Sequence, residues 1–430
     1  MSNRPRFNRR TLLAGVPAAA AGMSQAQGAR PSSGNPGTQF YDEQEQREVR
    51  EAIESRTLFR WYGPSKPTKV AAFESALTKH SGAKYVLAVS SGTAALHTSL
   101  AALGVGPGDE VILPAWSWYA CYNAILMTGA LPVFAETDES LNIDPDDMER
   151  KITAQTKAIM VLHLYGAAAG MDRILEIARR RNVKVLEDAA QGVGAEYRGR
   201  PLGTLGEMGI YSFQISKTIT SGEGGAVMTN HPVLFERAAR FHDLGLLRPG
   251  HQELIGAPSM GGSIGVNYRM NEMTGGVLSA QLRKLDGIVA AMRRNSRYVK
   301  DRIADLPGIR MRRLPDEAGE TGAGVYFFLK DKAARNAFLA AMRAEKAVAI
   351  LPTASLYLPS VPHIEQKLAM HPAWPTFTVG RGKSIRYGAG CCPKTVALYD
   401  RLASIPIGPR DSQQNLDGLV AAIRKALRAV

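Results

Sequence analysis

Met171-Asp-Arg-Ile-Leu-Glu-Ile-Ala-Arg-Arg-Arg-Asn-Val-Lys-Val-Leu-Glu-Asp188 changes its period halfway along. Ile174, Leu175, Ile177 and Ala178 recur at helical spacing, which predicts a helix over 171–181. Residues 183–186 then read as a short apolar strand that ends on the acids Glu187 and Asp188. The same alternation extends on both sides. Strands are predicted at 85–89, 110–113, 158–162, 209–213 and 225–228. A helix over 94–103 follows the first of them, and Gly104 suits its end. Continuous apolar strands separated by helices imply an α/β fold with a largely parallel sheet covered on both faces. In such folds ligands sit at the carboxyl ends of the strands. Past about residue 285 the pattern changes to a long basic helix (288–303), a strand (324–329), a helix (333–345) and a closing helix (415–430), which reads as a smaller α+β domain.

The chain has 430 residues, 45% of them hydrophobic and 21% charged, so a substantial core is available and wholesale disorder is excluded. No apolar run is long enough to span a bilayer. Three cysteines (Cys121, Cys391, Cys392) are too few for a disulfide framework, and no zinc-ligand spacing is present. The net charge is +14, but its basic residues are scattered apart from clusters at 179–181 and 310–313, with no interleaved aromatics. That favours an anionic substrate or membrane proximity and argues against nucleic acid.

The first 26 residues read as an address. Arg9 and Arg10 stand directly before an apolar stretch, 11–22, and Ser24-Gln25-Ala26 supplies small residues for a signal peptidase. Twin arginines point to the export machinery that moves folded proteins, and so to a periplasmic or other extracytoplasmic destination. The plainer reading is a basic tail beside a chance alanine run. Residues 27–39, rich in Pro, Gly and Ser, read as a linker. The expected organisation is then 1–26 signal, 27–39 linker, 40–285 large domain and 286–430 small domain.

Four features carry chemistry. Lys217 lies just past the strand 209–213, in a turn rich in small residues. A desolvated lysine there can form a Schiff base, although a solvated surface lysine has the same sequence signature. Asp188, at a strand end, is placed to pair with a buried cation such as a pyridinium nitrogen, and equally to ligate a metal or cap a helix. Ser90-Ser91-Gly92-Thr93 opens a helix after a strand, where free N–H groups and hydroxyls suit a phosphate or merely form an ordinary cap; Ser212 offers another hydroxyl. Trp116 and Trp118 should alternate sides after the strand 110–113, and Trp118 is favoured as the ring that stacks on a flat heterocycle. Together these supply a phosphate cup, a stacking ring, a carboxylate and a Schiff-base lysine, the handles of pyridoxal 5′-phosphate.

The chain resembles the DegT/DnrJ/EryC1/StrS family of sugar aminotransferases, from about Phe40 to the C-terminus. The resemblance rests on Ser91-Gly-Thr-Ala-Ala-Leu96, Gly108-Asp-Glu-Val-Ile-Leu-Pro-Ala115, His163-Leu-Tyr-Gly166, Glu187-Asp-Ala-Ala-Gln191, Ser212-Phe followed by Lys217, Gly222-Glu-Gly-Gly225 and Asn267-Tyr-Arg-Met270. It implies the fold type I of pyridoxal-phosphate enzymes, with a smaller C-terminal α+β domain. It implies that Lys217 carries the cofactor, that Asp188 partners the ring nitrogen and that Gln191 lies near the ring's O3′. Gly92, Thr93 and Ser212 match the phosphate cup, Trp118 the stacking ring, and Asn267 a residue lent across a homodimer interface to the neighbour's phosphate.

The implied reaction is ping-pong transfer of an amino group from glutamate or glutamine to a keto-sugar. The tail Cys392-Pro-Lys-Thr395 with Arg401-Leu-Ala-Ser-Ile-Pro406 is similar to the branch that aminates keto-cyclitols. Two departures stand out: Gln214 sits where many members have histidine, and most relatives carry no export signal. A sugar dehydratase of the same family is the nearest alternative, but those members replace the lysine with histidine. A protein that holds the cofactor without turnover, as a sensor, is another. Neither a Rossmann dehydrogenase nor a phosphate loop fits, because Gly104-x-Gly106-x-Gly108 follows a helix and Phe377 stands where a phosphate loop needs glycine.

Overall fold

Tyr85–Val89 (β1), Glu110–Pro114 (β2), Leu131–Ala135 (β3), Thr156–Leu162 (β4) and Lys184–Asp188 (β5) are almost wholly buried, and mostly apolar apart from several of their first residues, Lys157 and the two acids that end β5. A small hairpin, Glu196–Tyr197 (β6) and Arg200–Pro201 (β7), precedes Met208–Ser212 (β8) and Gly225–Thr229 (β9). In this computed structural model, which describes residues 35–61, 68–349, 357–428 and 430, seven of these strands form one sheet in the order β1-β9-β8-β5-β4-β2-β3. Only β9 runs against its neighbours. The sheet expected to be largely parallel is so. The predicted strands lie within a residue or two of the observed ones, while β3 carried no prediction. The expected signal segment, 1–26, and most of the linker lie outside the described residues. At the linker's end, Gly37–Phe40 forms a 3-10 turn, and a Cβ on buried Gly37 would stand 3.0 Å from the Cα of Ile219.

The strands read as continuous apolar runs because each face of the sheet has its own core. In β4, Ile159 and Val161 point into one cluster with Val70, Phe73, Leu77, Ile174 and Ile177; Ala158 and Met160 point into the other with Leu100, Val111, Ile125 and Phe235. Each such fully buried Val, Leu, Ile, Met or Phe side chain contributes about 1.5–3 kcal/mol. The helix Met171–Arg181 buries Met171, Ile174, Ile177 and Ala178 and stops at Asn182 in the left-handed conformation (φ 53°, ψ 43°). Its three last-turn arginines suit the negative end of the helix dipole, and Arg180 and Arg181 both pair with Glu149. The second basic cluster is paired too, Arg310 with Glu139 and Arg313 with Asp138, while Arg312 is buried.

Farther along, Arg310–Met311 (β10), Gly324–Phe328 (β11) and Leu402–Pro406 (β12) make an antiparallel three-stranded sheet. The helices Leu285–Ile303, Lys332–Ala344 and Gln413–Leu427 pack on it around Val325, Phe327, Phe338, Ile405 and Ile423. Residues 357–392 behave differently. Tyr357, Leu358, Ile364, Tyr387 and Cys392 join the second core cluster of the large sheet. No helix among the described residues is long and apolar enough to cross a membrane.

One contact organises the strand ends. Period-2 alternation sends Glu187 and Asp188, the last residues of β5, to opposite faces. Glu187 is fully buried and accepts hydrogen bonds from the N–H groups of Gly203, Leu205 and Gly206 at 2.9, 2.6 and 2.7 Å. His163 Nε2 donates to it at 2.9 Å, a tautomer fixed by the Ala169 N–H that donates to Nδ1. Glu187→Ala leaves four donors unpaired, the buried Gly203 N–H and His163 among them, and should lower stability by about 3 kcal/mol or more. Urea unfolding monitored by circular dichroism checks this, and a loss under about 0.5 kcal/mol contradicts the role.

Candidate functional site

The carboxyl ends of β1, β2, β4, β5 and β8 open into a cavity of about 450 Å3. Gly92, Thr93, Trp118, Asp188, Gln191, Ser212 and Lys217 all line it, so seven of the eight sequence-predicted site residues meet in one place. Asn267 does not. Its side chain is exposed, its backbone bridges to Asp243 just past the helix Pro232–His242, and its Oδ1 accepts the Arg269 N–H.

The helix Gly92–Ala102 begins directly against the end of β8. A Cβ on Gly92 would stand 2.8 Å from Ser212 Cβ and 2.9 Å from its Oγ, so only glycine lets the helix start approach this hydroxyl. Gly225 permits the same approach from β9, because a Cβ there would stand 2.3 Å from the Ser91 carbonyl. Ser91 caps the helix by accepting the Ala94 N–H at 3.0 Å. The first-turn N–H groups of Gly92 and Thr93 have no intrahelical partners. Two free N–H groups, the Thr93 and Ser212 hydroxyls and the positive end of a helix dipole face one cradle, which suits a phosphate.

Trp116 and Trp118 do take opposite sides, but strand alternation is not the reason, since it would put i and i+2 on one side; β2 has ended at Pro114, and Trp118 is already the N-cap of the next helix. Trp116 is fully buried among Leu141, Leu162, Phe328 and Leu402, whereas Trp118 is 53% exposed and lines the cavity at the N-cap of Tyr119–Met127. Gln191 is aimed by its Oε1, which accepts the Tyr165 N–H at 2.7 Å.

Asp188 is buried at the cavity floor. Its Oδ1 accepts the Ala190 N–H at 3.0 Å, and its Oδ2 accepts the Cys121 thiol at 3.0 Å. Burial raises its pKa above the ordinary aspartate range, against the pull of that thiol and of Lys217. Lys217 is largely enclosed, and loss of water lowers its pKa while Asp188 acts the other way. The turn that carries the lysine is shaped by Gln214. Its Oε1 accepts both the N–H (2.9 Å) and the hydroxyl (2.7 Å) of Ser216, and its carbonyl accepts the Lys217 N–H. The residue that departs from the family pattern therefore sets the lysine's turn as well as lining the cavity. Sequence reasoning missed Cys121 and Glu223. Cys121 is three residues past Trp118 on the first turn of a helix, a spacing that would have placed it facing the strand ends. Glu223 lines the same cavity and its charge acts on Lys217. Among the described residues no group of three or more His, Cys, Asp or Glu could hold a metal, so Asp188 has no co-ligands here.

A family model described as the DegT/DnrJ/EryC1/StrS aminotransferase family matches residues 39–424. A GDP-perosamine synthase of Escherichia coli O157:H7 is 39% identical over 243 residues, 56% of this chain and 65% of that protein. An L-glutamine:2-deoxy-scyllo-inosose aminotransferase of Streptomyces kanamyceticus is 41% identical over 239 residues, 54% of this chain and 55% of that one. The chain thus spans less than two thirds of the curated relatives it matches. The solved structure of an aminotransferase from Streptoalloteichus hindustanus superposes with a TM-score of 0.75 at 27% identity, covering 93% of this chain and 100% of that one.

The paired shifts fix how stability responds to pH without any ligand. Asp188 has a folded pKa above its unfolded value, so its contribution is complete below the ordinary aspartate range and is lost as pH rises through the folded value. Asp188→Asn cannot titrate. The variant, measured against wild type without cofactor, should gain in relative stability as pH rises through that window and show no pH-dependent difference below it. Thermal melts from pH 3 to neutrality test the sign; a relative loss for the variant with rising pH contradicts it.

Proposed function

The chain belongs to the DegT/DnrJ/EryC1/StrS aminotransferase family, and on that premise we propose that it is a pyridoxal-phosphate-dependent aminotransferase moving an amino group from glutamate or glutamine to a keto-sugar or keto-cyclitol. The observation that carries the reading is the meeting of a desolvated Lys217, a buried Asp188 and a glycine-dependent phosphate cradle in one cavity. The residues fit the cofactor: Gly92, Thr93 and Ser212 would hold its phosphate, Trp118 its ring face, Asp188 its ring nitrogen and Gln191 the region of O3′, with Lys217 as the covalent anchor. When bound, it supplies a carbonyl for the donor's amine and a ring that takes up the electron pair released at the donor's α-carbon.

The chain's own groups do the rest. The lowered pKa of Lys217 makes a neutral ε-amine accessible, and that amine moves the proton between the donor's α-carbon and the cofactor's C4′. Asp188 keeps the ring nitrogen protonated. In the cofactor-free protein burial penalises its charge, and a cation placed against it restores the ionised form. Cys121 holds the Oδ2 from behind. Lys217 also separates this reading from the dehydratases. Relatives named for nucleotide-sugar and for cyclitol products match at similar identity, and both acceptor classes belong to the proposal.

A homodimer with shared sites is part of the same proposal. It is supported by the absence of Asn267 from the lining of its own chain's cavity and by exposed apolar side chains nearby in the chain, Leu244 (55% exposed) and Ile264 (92% exposed). Export through the twin-arginine route to an extracytoplasmic compartment rests on residues 1–26 alone. A chain that folds around its cofactor before crossing suits that route.

Lys217→Ala should abolish transamination, and borohydride reduction should then leave no pyridoxyl mass on residue 217. Turnover retained in that variant, with a panel of keto-sugars and keto-cyclitols as acceptors, rejects the assignment. For export, Arg9→Lys with Arg10→Lys should leave uncleaved precursor in the cytoplasm on cell fractionation; an unchanged distribution rejects the signal.

A further inference from the structure

One pair of reactive side chains has no part in the cavity. Cys391 and Cys392 are adjacent, with their sulfurs 3.9 Å apart and the Cys392 thiol directed at Cys391 Sγ. Cys391 is partly exposed and Cys392 is buried. Lys151 Nζ lies 3.8 Å from Cys392 Sγ and is held there by the Phe134 carbonyl at 2.7 Å and Asp147 at 3.1 Å. Cys392 is also the N-cap residue of the nine-residue helix Pro393–Arg401, so the positive end of a helix dipole adds to the lysine's charge beside both sulfurs. The hydrogen bond from Cys392 holds the Cys391 thiol below its ordinary range, with Lys151 adding to the effect, and the same bond together with burial pushes Cys392 up. A partly exposed thiol beside a lysine, backed by a shielded thiol at 3.9 Å, is an arrangement suited to thiol–disulfide exchange.

We propose that Cys391 and Cys392 form a dithiol–disulfide site that reacts with low-molecular-weight disulfides, Cys391 as the attacking thiolate and Cys392 as the resolving thiol. In the first step Cys391 sulfur bonds to one sulfur of R–S–S–R, the S–S bond of the reagent breaks and one thiolate leaves. Cys392 then gives its proton to that thiolate and bonds to Cys391 sulfur, expelling the second thiolate. The protein dithiol is oxidised by two electrons, and the reagent is reduced to two thiol equivalents.

Neighbouring Cα atoms are about 3.8 Å apart, short of the usual 4.4–6.8 Å for a disulfide. The ring is therefore strained and readily reduced, which makes it a reversible site and not a structural staple. It also contains the 391–392 peptide unit, whose N–H on Cys392 donates to Tyr357 Oη at 3.1 Å. Tyr357 bridges to Trp116, and the Leu358 N–H donates to the Ala115 carbonyl, so the strained unit is joined to the segment that presents Trp118.

The test exposes the full-length, cofactor-loaded protein to glutathione disulfide, followed by peptide mass spectrometry under acid quench. The peptide containing residues 391 and 392 should be lighter by two hydrogens, carry no glutathione and recover with dithiothreitol. Cys392→Ser should stop with one glutathione on Cys391, and Cys391→Ser should take up none at residue 392. Wild type that keeps both thiols, or that holds a stable glutathione adduct at Cys391, overturns the proposal, and this result does not depend on how the variants fold.

Discussion

The end of β5 is the constraint on which the rest of the site depends. Two carboxylates in succession leave the sheet on opposite faces because a strand alternates its side chains. Glu187 points into the core shared with Val185 and ties down the loop of Gly203, Leu205 and Gly206; Asp188 points toward the other core and into the cavity. A one-residue slip of β5 against β4 or β8 would exchange them. The catalytic candidate would then be locked in the fold and the structural one exposed to the site. Register, more than the identity of either acid, decides which residue is available for chemistry.

A cavity built this way stores unfavourable electrostatics. Burial raises Asp188 and lowers Lys217, each in the direction that disfavours its charge, and each is relieved by the other. Such opposed shifts at one strand-end cleft are typical of functional sites. The cores on the two sheet faces and the buried hydrogen bonds to Glu187 hold that arrangement in place. The cradle formed by Gly92 and Ser212 is rigid for the same reason, since helix start and strand end touch with no room for a Cβ.

The C-terminal third is not simply an accessory to the large sheet. Its three-stranded sheet has a core of its own, yet residues 357–392 return to pack on the large sheet's second core. Through Tyr357 they contact the segment that carries Trp116 and Trp118. The cysteine pair sits on this returning segment, where a change at one peptide unit meets a hydrogen bond that leads toward the segment carrying Trp118.

The sequence alone determined the alternation of helix and strand, because periods of 3.6 and 2 are local properties of the hydrophobic pattern, and it placed Gly92, Thr93, Trp118, Asp188, Ser212 and Lys217 together, because strand ends of one parallel sheet converge; Gln191 came from the family resemblance alone. The opposite placement of Trp116 and Trp118 is not among these determinations, because a period of 2 puts i and i+2 on one face; burial of Trp116 against the small domain decided it. Only the tertiary structure decided which partners those residues take. Cys121 reaches Asp188 across 67 positions, Gln214 turns inward to shape the lysine's loop, and β3 finds its place beside β2. Such pairings are energies of three-dimensional contact between segments distant along the chain, and no local period encodes them.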